Sequence, residues 1–210
     1  MIPKVEFVYS FIYDNHIVEK YHEKKYNFDT FSKRVQGFIK LAEPKWRKVE
    51  KKILSELARV SGLKWSEPKI RCYVTTFHFF CPFSDPLTIG VFYGKHAEHK
   101  VKTSYFIHTL THELIHQLFI QQHWSKKFSK AFSKIREKHK KGLWITKNHV
   151  LLLALHEHIL LKYFSEAELN KEIESTKFYR NPGYYEAWQI VEKEGYKNII
   201  SEFKQYLKAK

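Results

Sequence analysis

From near residue 103 onward the 210-residue chain spaces its apolar residues as helices do, whereas before that point strand-like segments are separated by a helical one, and this order limits the folds open to it. In the strand-like segments, side chains alternate with a period of two: Val5, Phe7, Tyr9, Phe11 and Tyr13 share one face, as do Leu87, Ile89, Val91 and Tyr93. The stretch KIRCYVTTFHFFC is rich in β-branched and aromatic residues. Strands are therefore predicted near 4–13, 69–81 and 87–94. Between the first two, Trp46, Val49, Ile53, Leu57 and Val60 recur at three and four, which predicts a helix that Gly62 stops. Beyond residue 103 the pattern is helical throughout. Segments near 125–141, 147–164, 166–176, 183–194 and 196–208 follow a first helix, with Pro182 and Gly195 as punctuation. The expected class is α+β in a single domain over 1–210: a small antiparallel or mixed sheet with helices in an N-terminal lobe, 1–102, then a helical lobe, 103–210.

The first of the C-terminal helices, which Thr103 or Ser104 can cap, contains THELIHQL, residues 111 to 118. Residues four apart on a helix lie one above the other, so the imidazoles of His112 and His116 can converge on one metal ion. Glu113 sits a step round the helix, placed to take a proton from an attacking water rather than to bind the metal. Ile107, Leu110, Leu114 and Leu118 bury one side and hold the two histidines beside the core. His108, one turn earlier, is expected to be a partly exposed structural histidine.

A catalytic zinc ion takes three protein ligands and keeps a fourth position open. Candidates for the third stand in WITKNHVLLLALHEHILLKYF, a helix so apolar that it must be buried, where His149, His156, Glu157 and His158 each need a partner or an ion. Glu157 is a strong contender, because a carboxylate among leucines costs several kcal/mol to bury without a cation. His149 and His156, seven apart, share a face beside it.

The H-E-x-x-H helix, preceded by a strand and followed by a helix offering a third ligand, resembles the zincin metallopeptidases, most nearly their gluzincin-like, thermolysin-type branch. The resemblance spans roughly residues 87 to 164 and is specific at 112 to 116. It implies one catalytic Zn2+, peptide or protein as substrate, and Glu113 as the general base. In that branch an Asn-Glu pair at a helix start supplies the third ligand; here Asn148 is followed by His149, with Leu153 where the branch places an aspartate. His149 is therefore the preferred third ligand by resemblance and Glu157 its rival. The strand LTIGVFY would hold the place that pairs with extended substrate. Peptide hydrolysis also needs a donor for the developing oxyanion, and Tyr184 and Tyr185, after the break at NPG, are the candidates.

Charge adds a separate signal. The net charge of +15 admits an anionic partner, and SKKFSKAFSKIREKHKKGLW concentrates it, with Lys127, Lys130, Lys134, Lys138 and Lys141 on one stripe and Trp124, Phe128, Phe132 and Ile135 on another. The basic segment, 125–141, is thus a solvated face or a patch for an anionic partner, and the alternative function is a basic nucleic-acid-binding protein with a structural metal site. Cys72 and Cys81 lack metal-type spacing and are expected to be reduced core thiols. MIPKVEFVYSFIYD has no apolar signal character, and VLLLALHEHILL is too short and too ionisable to span a bilayer, so a soluble cytoplasmic protein is expected.

Overall fold

The computed structural model describes residues 1–21, 28–77, 82–93 and 99–209. Its elements run β1 (Lys4–Val8), α1 (Phe11–Tyr21), α2 (Phe28–Ser61), β2 (Lys69–Phe77), β3 (Phe83–Ser84), β4 (Leu87–Tyr93) and β5 (His99–Lys100). Six helices follow: α3 (Thr103–Ile120), α4 (Lys126–Lys138), α5 (Trp144–Tyr163), α6 (Glu166–Thr176), α7 (Gly183–Glu194) and α8 (Tyr196–Lys208). The class is α+β, as the periodicity predicts. Two compact units form, each from two segments: Met1–Lys51 with Glu67–Gln117, and Lys52–Ser66 with Leu118–Lys210. Their limits fall inside α2 and α3, whereas the 102/103 boundary read from periodicity marks only where strands give way to helices.

The first unit is built on a mixed sheet of order β1-β2-β4-β3, with β5 also on β4. β1, β2 and β4 are parallel, and β3 and β5 run antiparallel to β4. β4 is buried from Leu87 to Phe92 on both faces, so the one-sided alternation expected of it is corrected. Its position inside the sheet is the reason, since a strand covered on both sides selects apolar residues everywhere. Nor is its outer edge free for a substrate strand along its length: β3 pairs at Leu87 and Thr88, β5 at Phe92 and Tyr93, and Val101 N donates to the Val91 carbonyl at 2.9 Å.

The strand expected over 4–13 ends at Val8. Ser10 turns the chain into α1: its carbonyl accepts from Asp14 N at 2.9 Å and its hydroxyl from Tyr13 N at 3.4 Å. Alternation through Phe11 and Tyr13 therefore continues into a helix, where Tyr13 reaches the sheet through a 2.9 Å bond between its hydroxyl and that of Thr88. Asp14, fully buried, accepts from Thr76 N at 2.8 Å and Thr76 Oγ1 at 2.6 Å. Residues 78–81 of the strand expected over 69–81, Cys81 included, lie outside the described residues; Cys72 is a buried free thiol.

The second unit is helical. α5 is buried without a break from His149 to His156, and packs against α7 and α8. A helix apolar on all sides has to be enclosed in this way. α5 begins at Trp144, a turn earlier than expected, and α4 ends at Lys138. Trp124 does not join the apolar stripe of α4: it precedes the helix, is 88% exposed and lies against His123, while Phe128 and Ile135 are buried. No helix among the described residues is long and apolar enough to cross a membrane.

Glu56 is the electrostatic anchor of this unit. Only 5% exposed, it accepts from Arg59 at 2.6 and 2.9 Å, from His158 Nε2 at 2.7 Å and from Lys162 Nζ at 2.8 Å. The Arg59 bonds, opposed by burial and reinforced by Lys162 and His158, hold its carboxyl well below the usual carboxylate range. A depressed carboxyl stabilises the folded state above the unfolded-chain value, and that contribution is lost as the pH falls below it. Glu56→Gln is expected to cost about 2 to 3 kcal/mol at pH 7. Its denaturation midpoint should also decline less steeply than that of the wild type between roughly pH 5 and pH 3, which urea titrations at several pH values will measure.

Candidate metal centre

On α3, Leu110, Leu114 and Leu118 are fully buried and Ile107 nearly so, as the spacing of three and four demands. That burial leaves His112 and His116 half-buried on the neighbouring side, their rings 5.2 Å apart and edge to face. His149 projects from the second turn of α5. Its Nδ1 lies 2.9 Å from the Ile145 carbonyl, an acceptor only, so Nδ1 carries the proton and Nε2 keeps its lone pair. Burial lowers its pKa, opposed by that carbonyl, which favours the neutral ring a metal requires.

One ring nitrogen from each of His112, His116 and His149 lies within 4.8 Å of the others. Tetrahedral bonds of about 2.1 Å to one ion would set such nitrogens about 3.4 Å apart. The set fits a divalent transition-metal ion: three imidazoles, one of them oriented by a backbone carbonyl in the manner usual for metal-bound histidine. Among the described residues no fourth His, Cys, Asp or Glu joins the group.

Glu113 is 3% exposed. Its Oε2 accepts from Ser84 Oγ at 2.6 Å and its Oε1 lies 4.0 Å from His112 Nε2. Burial pushes the carboxyl up to about 7, against the opposing effect of the Ser84 bond. Gln117, at the end of the motif, donates through Nε2 to the Ser84 carbonyl and so ties α3 to β3. Nothing in the sequence marked Ser84: it stands in a two-residue strand 29 positions before the glutamate it holds. Gln117 carried a weak signal, as an uncharged polar residue one step past the second histidine.

The other candidates separate. Tyr184, half-buried, sets its ring edge to face against His149 at 4.7 Å and also meets Tyr179. Tyr185 lies instead under the Lys177 ammonium at 5.3 Å. Glu157 is outside the histidine group; burial and then the neighbouring Glu192 charge push its carboxyl up to about 7. His156 is fully buried near Trp188, and His158 belongs to Glu56. His108, expected to be partly exposed, is 2% exposed, because its side of α3 faces the core. Burial pushes the Cys72 thiol up, which makes it a poor nucleophile and ligand.

The rival third ligands are distinguished by metal retention. His149→Ala is expected to lose an added divalent metal ion at least about 100-fold more readily than the unsubstituted chain, and Glu157→Ala to retain it within a few-fold. Equilibrium dialysis against a metal chelator measures both. Loss of metal from Glu157→Ala with retention by His149→Ala would reverse the assignment.

No protein-family model matches the chain, and neither a curated protein nor a solved structure matches it.

Proposed function

We propose that the chain is a zinc-dependent hydrolase that cleaves peptide bonds. The observation that carries this reading is the approach of three imidazole nitrogens beside a dry carboxylate, at residues whose motif pattern is that of the zincins. His112, His116 and His149 hold the ion. Bound zinc supplies a Lewis acid, which polarises a carbonyl and brings the pKa of water towards neutrality. Three ligands without a fourth among the described residues favour a catalytic over a structural ion, since structural zinc sites are closed by four.

Glu113 takes a proton from the attacking water at one carboxylate oxygen while Ser84 keeps the other in place, then passes that proton to the leaving amine. The fixed carboxylate spends little of its freedom during reaction, which is what positioning contributes to rate. Tyr184, against His149, is the better placed of the two tyrosines to donate to the oxyanion. A peptide or protein is the substrate class.

Elemental analysis of purified protein is expected to give about one zinc per chain, the ratio set by one three-histidine group. Failure to take up metal even after zinc is added would end the reading. Glu113→Gln keeps the shape of the side chain and lacks its basicity. It is expected to retain the zinc and lower hydrolysis of a mixed peptide library by about 10² to 10⁴. A variant that cleaves at the wild-type rate would remove Glu113 from the chemistry, and one that loses its zinc would make the glutamate a structural support.

A further inference from the structure

α8 has two working faces. Towards α4 it sends Phe203, whose ring meets Phe128 at 6.2 Å, and Tyr206, under the Lys134 ammonium at 4.8 Å. The other face carries Lys197, Lys204 and Lys208, at spacings of seven and four, along one line of the helix. Together with Arg59, His158 and Tyr196 these lysines line a cavity of about 520 Å³. Ligand pockets run roughly from 300 to 1,000 Å³, so the space suits a small molecule.

The charge in this cavity is not neutralised from within. No aspartate or glutamate lines it, and among the described residues no carboxylate pairs with Lys197, Lys204 or Lys208. Glu56, which meets Arg59 and His158 of the lining, is saturated by these two and Lys162. Arg59 uses Nε and Nη2 on that acid and keeps Nη1 as a donor for something else. Gly62, whose φ of +76° favours glycine, ends α2 beside the stem of Lys204. Like charges on one helical line repel, and a compact ligand with several negative charges relieves that repulsion in a single step.

We infer that this cavity binds a small molecule bearing two or more linked phosphates, held by Lys197, Lys204, Lys208 and Arg59. Ammonium groups are point charges that donate to phosphate oxygens in many directions, and a guanidinium N–H adds direction. The site shares no residue with the histidine group and does not depend on what that group does.

Inorganic tripolyphosphate, titrated calorimetrically into the full chain at 100 mM salt, tests it. Saturable binding of one equivalent is expected, weakening as salt is raised. Lys204→Glu with Lys208→Glu should reduce affinity roughly 30-fold or more, whereas Lys126→Glu with Lys127→Glu on α4, an equal change of net charge, should alter it less than about threefold. If the reversal pair does not fold by circular dichroism, Lys204→Gln with Lys208→Gln is used, with a loss of about tenfold expected. Equal weakening by the α4 and α8 pairs would assign the binding to the overall positive field. Absence of saturable binding, or wild-type affinity in the α8 variants, as chelation of metal by the probe would produce, would overturn the site.

Discussion

A helix enclosed on every side leaves its polar side chains no water to turn to, and α5 lives under that constraint. Three of its polar groups are answered by a neighbour: the Thr146 hydroxyl donates to Glu186 at 2.5 Å, His149 to its own helix's Ile145 carbonyl, and His158 to Glu56. The arrangement of the helical unit follows from those answers. α7 brings Glu186 to the first turn of α5, while the last turns of α2 bring Glu56 to its far end. A leucine-rich segment with no such partners would be as apolar and far less specific in how it is held.

The same logic, on α3, makes Glu113 unusual. Dry carboxylates are normally paired with cations, as Glu56 is with Arg59 and Lys162. Glu113 instead has a neutral hydroxyl from Ser84 and two imidazoles nearby on its own helix. A folded chain that keeps an acid in this condition stores an affinity for positive charge at that spot. The histidine group beside it is where such charge would be received.

Much of this is legible in the sequence, and the reasons are local. The limits of α6, α7 and α8 follow chemistry written in the chain: Ser165 caps α6 by accepting from Glu168 N, Pro182 precedes α7, and Gly195, with φ of +80°, separates α7 from α8. The pairing of His112 with His116 needed only helical geometry. What escaped needed the third dimension. Phe11 and Tyr13 alternate like strand residues although Ser10 has already begun a helix. Trp124 has the spacing of a core residue but lies ahead of α4's first turn. Ser84 touches Glu113 only because β3 and α3 meet across a long stretch of chain, which no local pattern records.

The bond from His149 Nδ1 to the Ile145 carbonyl settles more than the direction of a ring. An imidazole can relay protons when one nitrogen receives while the other releases, and this ring has one nitrogen tethered to a backbone oxygen that cannot accept a proton in exchange. With Nε2 turned to an ion, His149 would be closed to proton traffic at both ends. On the proposed reading, Glu113 would then be the route by which a proton enters and leaves this side of the centre, a single carrier rather than a relay.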